Sequence, residues 1–367
     1  MFENNRERAV DYLNTWDNIY VFDGYAGWDP KYRIKARVVC AIFGEPDYNA
    51  DQLPASRFTE GVSSTTSVEI NFKRMNAIIL GMEYAGEMKK GAFSVMARVG
   101  QLSLHPPANV GIENNDATLF CGLSDMGKTT LSAGPRRKLI GDDEHVWSDD
   151  GVFNFEGGCY AKCVDLSAEK ETEISNAVRF GSILENVAYN PILRVPHYVD
   201  VSITESTRCA YPIEFIPNAQ IPCVVNRQQS NIIMLTYHAF GALPPTCYFA
   251  PFIVLHPGGH AEMLAERMSK NDVDCWLINA GWTGDQYGTG KRCPLNYTRM
   301  VVHSGELAKA EYETFRVGTF GLQVLTHIEG VPRELSSLCL AWTDKAAFER
   351  EVRKLAVMFQ KAFALYP

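Results

Sequence analysis

Apolar and polar residues alternate along two early stretches of the chain. Tyr32–Cys40 and Ser67–Phe72 both switch character at nearly every residue, the period of a half-buried strand. Short apolar runs recur at Ala77–Leu80, Ala117–Cys121, Leu139–Ile140, Asn231–Thr236, Phe252–Leu255 and Cys275–Asn279, and these predict buried strands. Arg6–Leu13 and Glu87–Ala97 predict helices, and Ala261–Ser269 suits a crossover helix between two of the runs. From Asp344 onward, Phe348, Val352, Leu355, Phe359 and Phe363 fall on one helical face, with Thr343 or Asp344 placed to cap it. Ala41–Phe58 is polar and Pro-bearing, a loop, and Gly151–Val164 predicts turn and strand. Strands alternating with helices make the fold class α/β.

One junction between a run and a helix carries a motif. Gly122, Leu123, Ser124, Asp125, Met126, Gly127, Lys128 and Thr129 fit G-x-x-x-x-G-K-[ST], the phosphate-binding loop (P-loop), and Thr130 follows directly. Ala117–Cys121 precedes it as a strand, and Thr129–Ser132 can open a helix. In such a loop backbone N–H groups wrap phosphates, and the helix end adds partial positive charge. Lys128 would reach the outer phosphates and the Thr129 hydroxyl a divalent metal. Leu139–Ile140 ends in Gly141-Asp142-Asp143, and carboxylates at a strand end beside such a loop are the usual second metal anchor. The competing explanation is a chance glycine-rich turn, which the flanking strand, helix and Asp pair disfavour.

Length and charge narrow the class. The 367 residues suffice for two or three domains. A net charge of −8 without a basic block argues against a nucleic-acid partner. No apolar run approaches the roughly 18 residues of a membrane-spanning helix, so no membrane partner is expected. Met1-Phe-Glu-Asn-Asn-Arg-Glu-Arg8 lacks the apolar core of a signal peptide. The ten cysteines are scattered without zinc spacing, which fits reduced thiols in a cytoplasmic protein. Nothing in the sequence sets the oligomeric state.

Several other residues could carry chemistry. Tyr84, Lys89 and Lys90 are close together in a Gly-flanked stretch. They form either a solvated surface or a cationic cluster for an anionic substrate, with a lysine whose pKa a metal lowers. His105 lies between a predicted strand and Pro106-Pro107, and Arg208 follows Thr-Glu-Ser-Thr; each has a structural alternative. Gly281–Arg292 is a Gly-rich, aromatic-bearing loop directly after a strand, where α/β proteins bind ligands, with Arg292 available to phosphates. His256 and His260 are four apart but separated by Pro257-Gly-Gly, a poor zinc pair.

Taken together, these segments resemble ATP-dependent phosphoenolpyruvate carboxykinase along nearly the whole chain. The resemblance runs through Asp23-Gly-Tyr-Ala-Gly-Trp-Asp-Pro-Lys-Tyr-Arg33, Glu83-Tyr-Ala-Gly-Glu-Met-Lys-Lys-Gly91, the P-loop, and Leu139-Ile-Gly-Asp-Asp-Glu-His145. It continues in Phe153-Asn-Phe-Glu-Gly-Gly-Cys-Tyr-Ala-Lys162, Thr207-Arg-Cys-Ala-Tyr-Pro212, Ala239-Phe-Gly-Ala-Leu-Pro-Pro245 and Gly281-Trp-Thr-Gly284. The family decarboxylates oxaloacetate and phosphorylates the enolate from ATP, giving phosphoenolpyruvate, CO2 and ADP, a lyase step of gluconeogenesis. The resemblance implies that Lys90, His105 and Asp143 hold a catalytic Mn2+, and that Thr129 meets a Mg2+ bridging the ATP phosphates. It places Tyr84 at the substrate and gives catalytic roles to Lys89 and Lys90. Asp142 would support the metal shell and Arg208 the transferring phosphoryl group. Glu171, Arg292 and Thr298 match nucleotide contacts. The implied architecture is two-lobed: residues 1–100 as the remnant of the N-terminal, substrate-side lobe, and residues 101–367 as the nucleotide-binding lobe with the P-loop at 122–130.

Departures from the family are local. The N-terminal Arg motif that grips the substrate carboxylate is expected to lie upstream of this sequence. Family segments are absent between Cys40 and Phe43 and between Pro245 and Pro251, with the flanks resuming in register. Such losses predict lower stability than an intact member. The family's Gly-Thr is Asp125-Met126 here, which sets a carboxylate beside the triphosphate, and its Ser-Ala-Asp-Pro is Ser132-Ala-Gly-Pro135. Two readings stand: an ATP-dependent carboxykinase, or a truncated, catalytically inactive homologue that is a binding or regulatory protein or a non-functional gene product. An unrelated P-loop kinase would turn over another acceptor without needing oxaloacetate.

Overall fold

A computed structural model describes residues 1–40, 67–81, 86–98, 100–122, 128–132, 137–164, 166, 172–228, 231–236, 257–279, 281–285, 287–292, 307, 311–314, 323–325, 330, 332 and 338–364. In chain order, α1 (Phe2–Leu13) precedes two antiparallel hairpins, β1 (Tyr20–Ala26) with β2 (Ile34–Cys40) and β3 (Ser67–Asn71) with β4 (Asn76–Leu80). Next come α2 (Gly86–Arg98), β5 (Leu102–Leu104), β6 (Ala108–Gly111), β7 (Ala117–Cys121) and α3 (Lys128–Ser132). They are followed by β8 (Arg137–Gly141), β9 (His145–Trp147), β10 (Val152–Asn154), β11 (Gly158–Lys162) and α4 (Thr172–Ala177). The strands β12 (Ile183–Glu185), β13 (Tyr189–Asn190), β14 (Val195–Pro196), β15 (Arg208–Pro212) and β16 (Val224–Val225) come next. Then β17 (Asn231–Thr236), α5 (Pro257–Asn271), β18 (Asp274–Asn279), α6 (Leu338–Ala341) and α7 (Lys345–Phe363) complete the elements used below.

The chain divides into two units. The first comprises Met1–Leu104, Glu144–Ser148 and Phe153–Pro217. Its β5 pairs antiparallel with β9, and β10 lies beside β9; Leu102, Leu104, Trp147 and Phe153 are buried there. A three-stranded antiparallel sheet, ordered β11-β15-β12, has alternating burial on β11 and β15. Cys159, Ala161, Cys209 and Tyr211 point into the core and leave the other face polar. Helix α2 buries Phe93, Met96 and Ala97, spaced three and four apart as a helical face requires. The Phe93 ring meets Phe155 edge-on at 5.3 Å.

The second unit comprises His105–Asp143, Asp149–Val152 and Asn218–Pro367. Its sheet has five strands in the order β18-β17-β7-β6-β8. The pairs β18–β17 and β17–β7 are parallel, and β7–β6 and β6–β8 antiparallel. Helix α5 covers the predicted Ala261–Ser269 helix and lies in the connection that the parallel β17–β18 pair demands; the sequence placed it between Phe252–Leu255 and Cys275–Asn279, the first of which is outside the described residues. Short β7 is buried at every position, which is why it reads as an unbroken apolar run. Helix α7 buries Phe348, Val352 and Leu355, and Asp344 caps it by accepting the Ala346 and Ala347 N–H groups at 2.9 and 3.0 Å. Those bonds hold the Asp344 carboxyl below its usual range. Among the described residues no helix is long and apolar enough to cross a membrane.

The pattern missed some strands and anticipated others closely. β1 and β6 have no clean alternation: Asp23-Gly24 interrupts the first, and Asn109 sits buried in the second. The Phe252–Leu255 strand and the Ala41–Phe58 loop, as well as the Phe359 and Phe363 side chains, lie outside the described residues.

Candidate active site

Helix α2 carries the paired lysines of the first unit. Lys89 lies on the same face as Phe93 and Met96, four and seven residues on, with Lys90 at its edge, and both lysines are half-buried. The Lys89 ammonium lies 2.9 Å from Glu156 Oε1 and 3.8 Å from Glu144 Oε1. It also stands 5.7 Å above the Tyr160 ring. Glu156 is itself fixed: its N–H donates to Asn154 Oδ1 at 2.8 Å, and its carbonyl accepts the Trp28 indole N–H at 2.6 Å. Trp28 belongs to the Gly27-Trp28 turn, whose two N–H groups donate to the carbonyls of Phe155 and Asn154.

The polar face of the three-stranded sheet bears the second group. Cross-strand register sets Lys162 opposite Arg208 and Glu185 opposite Arg208 on the other side. Residues directly opposite share a face, so these three project together, with Tyr160 two positions along β11. The Tyr160 hydroxyl donates to Glu185 Oε2. Arg208 donates through Nη1 to the Thr207 carbonyl at 2.9 Å and is half-buried. Lys89, Tyr160, Glu185 and Arg208 thus belong to one polar region of the first unit. Glu144, Glu156, Tyr160 and Glu185 carried no role in the sequence reading.

In the second unit the register brings a histidine and an aspartate together. Ala108 on β6 opposes Gly141 on β8 in an antiparallel pair. Residues just before β6 therefore meet those just after β8. His105 Nε2 lies 2.9 Å from Asp143 Oδ1. Two donors on adjacent corners of an octahedral ion, each about 2.1 Å away, stand roughly 3.0 Å apart. An imidazole nitrogen and a carboxylate oxygen at this spacing fit a divalent transition ion. Asp142, half-buried, precedes Asp143 at the same strand end.

The P-loop helix forms on the same sheet. Leu131 of α3 packs with Phe120, Ile233 and Leu235, and Trp276 and Ile278 lie against that cluster. Lys128 is half-buried at its start. Cys121, the last residue of β7, has its thiol pushed up to about 12, by burial first, with Cys275 adding and Lys128 opposing.

Comparison with known proteins decides the family. The family model described as phosphoenolpyruvate carboxykinase matches residues 43–246 and 245–334. An ATP-dependent phosphoenolpyruvate carboxykinase of Eremothecium gossypii is 50% identical over 432 positions, covering 99% of this chain and 79% of that protein. Those of Saccharomyces cerevisiae and Dictyostelium discoideum are both 48% identical, covering 99% and 98% of this chain and 78% and 75% of their own lengths. The chain belongs to the phosphoenolpyruvate carboxykinase family.

A carboxykinase relative of 432 aligned positions meets a chain of 367 residues, so at least 65 positions have no counterpart here. The break in the family match at 245–246 falls at the expected Pro245–Pro251 junction, and the match starts at 43, beside the Cys40–Phe43 junction. Other carboxykinase positions lie outside the described residues: Tyr84, Leu123, Ser124, Asp125, Met126, Gly127, Glu171 and Thr298. Thr129, Thr130 and Arg292 are described in backbone only, the first two in α3 and Arg292 in a strand pair opposite Trp282.

Proposed function

We propose that this chain catalyses the ATP-dependent decarboxylation and phosphorylation of oxaloacetate to phosphoenolpyruvate, CO2 and ADP, a carboxy-lyase reaction of gluconeogenesis. The observation that carries it is the 48–50% identity to ATP-dependent carboxykinases along nearly the entire chain. The His105–Asp143 pair and the lysine-bearing helix α2 supply the chemistry such a reaction needs.

Within this reading, His105 and Asp143 are ligands of a divalent ion, for which Mn2+ is our assignment, and Lys90 is a further ligand on the family resemblance. The bound ion supplies Lewis-acid stabilisation of the enolate charge. Lys128 and the P-loop amides hold the ATP phosphates, and Thr129 faces the accompanying Mg2+. Asp142 steadies the ligand shell by hydrogen bonding. Arg208 stabilises charge on the transferring phosphoryl group, a task suited to a fixed guanidinium. Lys89, held by Glu156, presents a fixed ammonium to an anionic substrate, with Tyr84 as a further substrate contact. Glu171, Arg292 and Thr298 contact the nucleotide. Residues 1–100 are read as the remnant of the substrate-side lobe and 101–367 as the nucleotide-binding lobe, and the protein is placed in the cytoplasm.

The test is 31P NMR of purified protein with oxaloacetate, ATP, Mn2+ and Mg2+. A phosphoenolpyruvate resonance appearing in step with CO2 release is expected. Inorganic phosphate without phosphoenolpyruvate would sink the reading.

A further inference from the structure

We infer that Asn109 is a positioning residue for the P-loop, holding the far end of α3 through a partly buried polar chain. The inference rests on the phosphate-binding reading of that loop. A five-residue helix has almost no hydrogen bonds of its own, so outside contacts must fix its direction. Leu131 supplies an apolar contact, which is non-directional. Asn109 supplies a directional one. Its Nδ2 donates to the carbonyl of Ser132, the last residue of α3, at 2.9 Å, and both residues are fully buried.

Asn109 is itself held. Its Oδ1 accepts from Arg137 Nε at 2.6 Å, which also fixes which way the amide is turned. Arg137 is spent on the same chain: Nη1 donates to Asp116 Oδ2 at 2.8 Å, and Nη2 donates to the Asp116 carbonyl at 2.6 Å and to Thr118 Oγ1 at 2.8 Å. Asp116 Oδ2 also accepts from Asn231 Nδ2 at 3.1 Å. Four strands, β6, β7, β8 and β17, thereby converge on one carbonyl at the end of the helix that begins with Lys128. The link at Ser132 is buried and the links behind it are partly buried, so releasing the inner one leaves a buried carbonyl without that donor. Stiffness matters here because a displacement near 1 Å at a phosphate-holding group is costly.

The test is equilibrium binding of ATP with Mg2+, by calorimetry, to wild-type and Asn109→Asp protein, with thermal melts alongside. Asp keeps the acceptor for Arg137 and turns the donor facing Ser132 into an acceptor. The expected result is an ATP Kd raised at least tenfold, while the melting temperature stays within a few degrees. A merely structural Asn109 would lower the melting temperature and leave the Kd of folded protein unchanged, and that outcome overturns the inference. Should Asn109→Asp not fold, Asp116→Asn decides: a roughly threefold weaker Kd supports the chain, and an unchanged Kd overturns it. Wild-type protein that binds no ATP overturns it as well. Oxaloacetate turnover is measured in parallel, and its absence beside normal ATP binding sinks the proposed reaction while leaving this inference standing.

Discussion

Replacing Lys89 by Met removes one ammonium from between two acids. The side chains of Glu144 and Glu156 are 1% and 8% exposed and that of Lys89 19%, so the group is nearly dry. At an effective dielectric of about 20, contacts of 2.9 and 3.8 Å contribute roughly 6 and roughly 4 kcal/mol of attraction. Desolvation takes back several kcal/mol for each ion. The net worth of the group against an apolar replacement is thus small, but Met leaves both acids behind. Breaking a buried pair from one side costs about 3–5 kcal/mol, and that is the predicted loss for Lys89→Met by urea unfolding. Adding Glu156→Gln should recover roughly 2 kcal/mol through coupling. A Lys89→Met loss below about 1 kcal/mol, or additivity with Glu156→Gln, refutes the reasoning. Activity of Lys89 variants must accordingly be read on protein shown to be folded.

Other consequences are as direct. Gly151 has φ +149°, and a Cβ there would lie 2.0 Å from the Val225 carbonyl oxygen and 2.8 Å from the Arg227 nitrogen. Gly151→Ala should destabilise by about 2–4 kcal/mol in chemical unfolding. Cys121, with its pKa about 12, should resist alkylation in native protein at pH 8 while the exposed Cys275 reacts, as mass spectrometry of labelled peptides would show. The same shift has a stability sign. The contribution is complete below the unfolded thiol pKa near 9 and is lost as pH rises toward 12, because the unfolded chain ionises first. Asp125→Gly, which restores the family residue, should tighten ATP binding in calorimetry, since it removes a negative charge from the phosphate-binding motif and a tenfold change needs only about 1.4 kcal/mol.

Much of the second unit was legible because its chemistry is periodic. β7 and β17 are apolar runs that a buried parallel sheet requires, whereas β18, expected to be buried, is the edge strand and none of its described residues is buried. The strand and the helix expected on either side of the glycine-rich motif are both present, as β7 and α3. The His105–Asp143 pair was legible only through family resemblance, because 38 positions separate the two and the β6–β8 register alone unites them. β6 went unseen, since buried Asn109 breaks its apolar pattern; the residue that blurred the strand is the one that holds α3. Glu144 and Glu156 stayed hidden for a related reason. Their burial is stabilised by Lys89, distant from both in sequence, and no local pattern encodes that partnership.

The most direct measurement of the central claim is oxaloacetate-dependent ADP formation by purified protein with Mn2+ and Mg2+, beside a Lys128→Ala control. The account predicts turnover that requires oxaloacetate and falls at least a hundredfold in the control, as loss of a phosphate-holding cation implies. Folded protein that forms no ADP, or forms it equally without oxaloacetate or without Lys128, would contradict it.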